Sequence, residues 1–347
     1  MRVSELISAA AANHASDIHL CYGQPPKLRI DGQLFSMNTP LLDDEALAAF
    51  ASELSPMDPA QLSSLREWDG ACSMAGQRIR VNFFRQQAHL SIALRILSDR
   101  IPPLSSLGLP LVTDTLGELS RGLVLVTGET GSGKSTTLAA LIDNINHSRR
   151  AHVVTIEDPI EYIYKPDRCL ISQRELGRDT ESFSVALRAA LREDPDVILV
   201  GELRDNETIE TALTAAETGH LVFGTLHVGS AADTIDRIVD VFPEGKQRQI
   251  RLQLSMTLRC VLAQHLLPRI GGGRVCACEA MVVTPAIRNL IRESKTPQIQ
   301  NALATGGQHG SITMDNAILQ LWQQKIISAQ TACMAAQDRE YVAKRTV

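Results

Sequence analysis

The sequence predicts an α/β protein: a parallel sheet interleaved with helices, preceded by a smaller α+β domain and followed by a helical extension. Three observations carry this. Residues 123–126, 152–156, 197–200 and 221–225 are short runs rich in Val, Ile and Leu, with helical segments between most of them. Such runs are apolar throughout, as strands covered on both faces must be. Before residue 98 polar and apolar side chains alternate and turn signals recur, which suits antiparallel strands. After Pro285 the apolar residues return at helix spacing, over 287–291, 299–303, 314–321 and 329–336.

Taken in order, residues 3–12 have helical periodicity, and 17–22 and 26–30 read as strands. Asp31-Gly32 is a hairpin signal between 28–30 and 34–37. Asp43 and Asp58 each open a helix as N-cap, and 68–72, 78–84 and 90–97 form an antiparallel set. In that set Arg78 and Arg80 share one face and Ile79 and Val81 the other. Pro102, Pro103, Gly108 and Pro110 then punctuate the chain. The expected division is a domain over 1–97, a hinge-like linker over 98–110, a second domain over 111–284 and a helical region over 285–347.

With 347 residues, 44% of them apolar, the chain can bury more than one core. Its net charge of −5, without long blocks of one sign, gives no whole-protein attraction to nucleic acid or anionic lipid. Few aromatic side chains stand ready to stack on bases. Seven cysteines (Cys21, Cys72, Cys169, Cys260, Cys276, Cys278 and Cys333) are an odd, scattered set, expected as reduced thiols in the cytoplasm. Cys276 and Cys278 fall on one face of a strand, but no second pair completes a zinc site, so packed thiols are expected. No run approaches the roughly 18 to 20 apolar residues that span a bilayer, so any membrane connection is expected through a partner.

The chemistry centres on Gly128-Glu129-Thr130-Gly131-Ser132-Gly133-Lys134-Ser135, which follows an apolar run and precedes Leu138, Leu141, Ile142 and Ile145 at helix spacing. Strand, glycine turn and helix stand in the order of a phosphate-binding P-loop. Glycines let successive N–H groups point at phosphate oxygens, Lys134 brings charge to the β/γ positions, and Ser135 offers a hydroxyl to Mg²⁺. Hydrolysis further needs a metal ligand, a group that orients water, and positive charge at the γ-phosphate. Glu202 ends the run 197–200 as the lone carboxylate of that strand tip, with Gly201 where many such strands carry aspartate. Glu157, Asp158 and Glu161 crowd the end of the neighbouring strand, where acids repel unless a cation is present. His220 and His227 flank a further strand near Thr225, as groups that can sense a γ-phosphate by hydrogen bonding.

Together these segments resemble the type II/IV secretion ATPases, and within them the members that retract type IV pili. The family's Walker A box matches residues 128–136, its aspartate box 156–161, its Walker B box 191–205 and its histidine box 214–227. Ala15-Ser-Asp-Ile-His-Leu20 looks like the start of the family's PAS-like N-terminal domain, and Ala286-Ile-Arg-Asn-Leu-Ile-Arg-Glu293 like the C-terminal motif of retraction members. The resemblance implies a RecA-like P-loop ATPase core that binds ATP through Gly128, Thr130, Gly131, Ser132, Gly133, Lys134, Ser135 and Thr136. It implies Mg²⁺ on Ser135 and Glu202, catalytic carboxylates at Glu161 and Glu202, and His220 and His227 coupling the γ-phosphate to a subunit interface. Arg80 and Arg95 fall on positions that reach ATP from the N-terminal domain, which turns on its linker.

The implied protein is a cytoplasmic homohexamer at the inner membrane, acting on a membrane platform protein, with the pilus assembly ATPase as a further partner. Two departures stand out. Val228-Gly229-Ser230 follows His227 where relatives commonly have hydroxyl residues, and the chain lacks the extra N-terminal domain and paired Cys-x-x-Cys of assembly and secretion ATPases. The second favours retraction over assembly or type II secretion. A nucleic-acid motor fits less well, since Lys246, Arg248 and Arg251 are the compact basic group and read as a solvated helix face.

Overall fold

The computed structural model describes residues 2–30, 32–97 and 100–346. Two compact units emerge, Met1–Arg100 with Pro159–Ile163, and Ile101–Asp158 with Tyr164–Val347.

The first unit runs α1 (Val3–Ala12), β1 (Asp17–Cys21), β2 (Lys27–Ile30), β3 (Gln33–Ser36), α2 (Asp44–Leu54), α3 (Pro59–Ser64), β4 (Glu67–Met74), β5 (Gln77–Gln86) and β6 (His89–Leu97). Its six strands form an antiparallel sheet in the order β3-β2-β1-β6-β5-β4. The Asp43 carboxylate accepts the Ala46 N–H at 2.8 Å, and Asp58 and Gln61 cap α3 reciprocally at 2.8 and 3.0 Å. Asp31 of the expected hairpin turn lies outside the described residues.

Alternation gives this sheet two unlike faces. Ile18, Leu20, Ile79, Val81, Phe83, Ile92 and Leu94 form one core with Leu6, Ile7, Leu47, Phe50 and Leu54. On the other face a row of register partners crosses four strands: Arg80, Arg95, Asp17 and Arg29. Arg78 shares that face. It is buried, and its Nε donates to the Ile160 carbonyl at 3.1 Å, because the segment Pro159–Ile163 belongs to this unit.

The second unit begins at Ile101, inside the expected linker. Leu104 is buried in a single 3₁₀ turn, while Pro103, Ser105, Ser106 and Gly108 are exposed. There follow α4 (Thr113–Leu116), β7 (Gly122–Thr127), α5 (Lys134–Ser148), β8 (His152–Glu157), β9 (Leu170–Glu175), α6 (Phe183–Ala190), β10 (Val197–Val200), α7 (Asn206–Glu217) and β11 (Leu221–Leu226). Next come α8 (Ala231–Asp240), α9 (Glu244–Thr257), β12 (Leu258–Pro268), β13 (Arg274–Val282), α10 (Pro285–Arg292), α11 (Ile299–Thr305), α12 (Met314–Gln323), α13 (Ala329–Ala335) and α14 (Arg339–Ala343).

The seven strands order as β13-β12-β7-β11-β10-β8-β9, parallel except for β13 at the edge. Every residue of β7, β10 and β11 is buried, as their predominantly apolar sequences require. The sheet is therefore mixed; the sequence reading had a strand around Cys276 and Cys278, within β13, but missed β9 and β12. β9 carries Ser, Gln and Arg, and β12 runs straight out of α9 with no turn residue to announce it.

The C-terminal helices share cores with the sheet. Ile287, Ile291, Ile299 and Leu303 join the main cluster, while Met314, Ile318, Leu321 and Val342 pack with Leu267 of β12 and Ala277 of β13.

The basic group on α9 is not simply solvated. Arg251 clamps Asp236 at 2.9 Å and Lys246 pairs with Glu210 at 3.2 Å, while Arg248 is exposed. The cysteines are all unpaired thiols, and burial pushes Cys260 and Cys276 up to about 12. Among the described residues no group of three or more His, Cys, Asp or Glu is placed to hold a metal, and no helix is long and apolar enough to cross a membrane.

Candidate active site

Parallel sheets collect function at the carboxyl ends of their strands. Here the loop after β7 supplies the cradle. Gly128 has φ 142°, and a Cβ there would lie 2.4 Å from the Gln264 carbonyl and 2.5 Å from the Ser132 Oγ, so only glycine fits beside β12. Gly133, at φ 94°, turns the chain into α5.

Lys134 begins that helix and is buried, its Nζ donating to the carbonyls of Gly128 at 2.8 Å and Glu129 at 2.9 Å. The ammonium is thus folded over the loop that it serves. Among the described residues the enclosed hydroxyls of Thr127 and Ser132 have no hydrogen-bond partner, as expected of groups that a ligand or water completes. Thr130, Gly131 and Ser135 are exposed, Thr136 is half-buried, and Thr137 is anchored by a bond from Gln264 Nε2 at 2.8 Å. No sequence signal pointed to Gln264, which β12 delivers from 127 residues away.

Glu202 follows β10. Its Oε2 lies 2.6 Å from an Arg204 nitrogen and its Oε1 3.4 Å from His227 Nε2. The hydrogen bond to Glu202, reinforced by its charge and that of Asp158, holds the Arg204 guanidinium above its usual pKa against partial burial. Arg204, two residues past the acid, was legible only as part of a motif. At Gly201 a Cβ would sit 3.1 Å from the Ile156 carbonyl and 3.3 Å from the Glu157 Cα, and this tight approach to β8 leaves Glu202 as the carboxylate of that tip. Thr225 Oγ1 donates to the Gly201 carbonyl and ties β11 to the same corner. On β8, Glu157 accepts from Thr155 Oγ1 at 2.6 Å.

Lys134, Ser135, Glu202 and His227 therefore share one sheet edge. His220 does not. It precedes β11 at the opposite edge, where its carbonyl accepts the Gly122 N–H at 3.0 Å and its Nδ1 donates to the Ala215 carbonyl at 3.0 Å. The six residues of β11 separate the two histidines, seven steps or about 23 Å at roughly 3.3 Å per residue. Within one chain they cannot both meet a phosphate at this P-loop.

Glu161 is half-buried in the loop beyond β8, in the segment grouped with the first unit. In that unit Arg80 and Arg95 stand opposite each other on β5 and β6. Two like charges so placed need counterions. Arg80 pairs with Asp69 through both carboxylate oxygens, and Arg95 Nε donates to Asp17 at 3.0 Å. Burial pulls the Asp17 carboxyl upward, but hydrogen bonds from Ser16 and Arg95 and the nearby charge outweigh it and hold the group below its usual range.

Comparison with known proteins gives concordant results. The model of the family described as type II/IV secretion system protein matches residues 1–340. The type IV pilus retraction ATPase PilT of Pseudomonas aeruginosa is 48% identical over 336 residues, covering 96% of this chain and 97% of that protein. A twitching motility protein of Neisseria gonorrhoeae is 45% identical, covering 91% and 85%. Among solved structures, the pilus retraction motor PilT with bound ADP superposes with a TM-score of 0.91 at 46% identity, over 98% of both chains. The DotB ATPase of Legionella pneumophila gives 0.84 at 30% identity, over 96% and 94%.

Proposed function

This chain belongs to the type II/IV secretion system protein family, and on that premise we propose that it is an ATP-hydrolysing motor that retracts type IV pili. The observation that carries the chemistry is the single sheet edge where the cradle of residues 128–134 meets Glu202 with its Arg204 and His227 partners. Retraction is supported by the near full-length similarity to proteins named for pilus retraction and twitching motility.

In this reading residues 111–284 act as a RecA-like core, 1–97 as a PAS-like domain, 98–110 as the joint between them and 285–347 as a helical extension. Backbone N–H groups of the P-loop and the Lys134 ammonium bind the triphosphate. The orphaned Ser132 hydroxyl, the exposed Ser135 hydroxyl and the Glu202 carboxylate fit the donor set expected around a magnesium nucleotide, where phosphates supply most of the oxygens. Magnesium, held by Ser135 and Glu202, would neutralise charge on the β- and γ-phosphates. Glu161 and Glu202 fill the two carboxylate roles and His227 reports the γ-phosphate. Arg80 and Arg95 come from a neighbouring copy, exchanging Asp69 and Asp17 for phosphate, which makes the working unit a homohexamer. His220, at the far edge of its own sheet, acts at that interface.

The ring works in the cytoplasm against an inner-membrane platform protein, opposing the pilus assembly ATPase. ATP favours a closed arrangement of domains that relaxes after hydrolysis, and the difference in affinity between the two states supplies the work. Deleting the gene tests the assignment. Cells should carry excess surface filaments that no longer shorten. Bald cells would instead assign the chain to pilus assembly.

A further inference from the structure

Glu279 plays no part in the chemistry above, yet its side chain is fully buried. It stands on β13 opposite Ala263 of β12, which stands opposite Thr127, the last residue of β7 before the P-loop. Two strand spacings, about 10 Å, separate it from the start of the cradle.

Its two carboxylate oxygens go in different directions. Oε1 accepts the Ala231 N–H at 2.7 Å and Oε2 accepts the Met314 N–H at 3.2 Å. Those residues open α8 and α12, and Gln300 of α11 adds a side-chain hydrogen bond. Burial pushes this carboxyl up, and the bonds from Ala231, Met314 and Gln300 pull against it, while the charge of Asp233 adds to the push.

A buried acid is costly, and the two helices already have caps. Ser230 accepts from Asp233 and Thr313 from Asn316. What Glu279 adds is a link between two helix ends, each offering free N–H groups and the positive end of its dipole. One end lies four residues beyond His227, beside Glu202. The other begins the helix that carries Trp322 and packs Met314, Ile318 and Leu321 into the C-terminal cluster.

We infer that Glu279 is a positioning residue that couples the loop 227–230 to the C-terminal helices, so that nucleotide at the P-loop is read at α12 and displacement of α12 is felt at His227 and Glu202. The coupling is reciprocal, as linkage demands. It rests on the nucleotide reading of the site.

Trp68→Phe leaves Trp322 as the sole tryptophan of this 347-residue chain. ADP with Mg²⁺ is the probe, with affinity measured by calorimetry and Trp322 emission recorded with and without saturating ADP. Emission should change on binding. In Glu279→Gln, which turns an N–H toward a helix N–H, the ADP Kd should stay within about twofold while the emission response falls at least about fivefold and kcat drops with KM little altered. Hydrogen exchange in the Trp68→Phe protein, with Glu279 intact, is the second measurement, in case the Gln variant does not fold: ADP should alter protection of the Ala231 and Met314 amides together. ADP binding with an unmoved Trp322, an undiminished response in Glu279→Gln, or unlinked exchange at the two amides would overturn the inference alone. Absence of ADP binding would overturn the nucleotide reading, and the inference with it.

Discussion

The two sheets of this protein solve opposite problems. In the second unit β7, β10 and β11 are buried throughout and almost wholly apolar, so polar chemistry gathers at their carboxyl ends, at Thr127 and Thr225, and in the loops that follow. In the first, one face makes the core and the other displays a row of charge, Arg80 to Arg29. Edges place a few groups accurately around one point, and a face offers a surface to something else. That contrast is why we place the phosphate cradle on the sheet of the second unit and the arginines proposed to meet a neighbour on the sheet of the first.

The sharpest way to break this comparison is to make the face behave as surface alone. Arg80→Ala should cost about 10³-fold or more in kcat, as loss of an arginine finger does. Its stability should change by less than about 1 kcal/mol, since the pair with Asp69 is exposed. Mixing Arg80→Ala with Glu202→Ala subunits should restore part of the activity, and well-mixed rings that stay dead would return Arg80 to the role of a solvated ion pair.

The edge can be divided in turn. Lys134→Ala should weaken ATP binding at least about a hundredfold, because a buried ammonium is lost from the cradle. Glu202→Ala should bind ATP within a few-fold and hydrolyse it about a hundredfold more slowly. Equal losses of affinity in both, measured by titration, would merge two roles that the geometry keeps apart.

The smallest effect tests the face as structure. Asp17 titrates below its usual range in the folded protein, so its contribution is complete above about pH 4 and drains away as the pH falls through the lowered value. Asp17→Asn should therefore be less stable than the parent at pH 6 by under about 1 kcal/mol, with the gap closing toward pH 2 in urea titrations. A gap that persists in acid would assign the loss to packing.

Much of this was legible in the chain. Wherever a signal is local, as in the caps Asp43 and Asp58, the apolar runs of β7, β8, β10 and β11, or the glycines before Lys134, expectation and structure coincide. β9 and β12 were not legible, since an edge strand of mixed polarity and a strand leaving a helix without a turn carry no period of their own, and of β13 only the stretch around Cys276 and Cys278 was read as a strand. Alternation put Arg78 on the face of Arg80, but nothing in its own strand reports that residues 159–163 lie over it.

A strand, a turn and a helix in succession are a property of neighbours along the chain, and so the P-loop, with Lys134 and Ser135 in place, needed nothing more than residue order. Which acid faces which base depends on the order of strands in the sheet and on the edge at which each loop emerges. Only the folded chain could bring Arg204 and His227 to Glu202, send His220 to the far end of β11, and join α8 to α12 through Glu279. The reason is physical: local periodicity selects an element, whereas long-range burial and hydrogen bonding choose its neighbours.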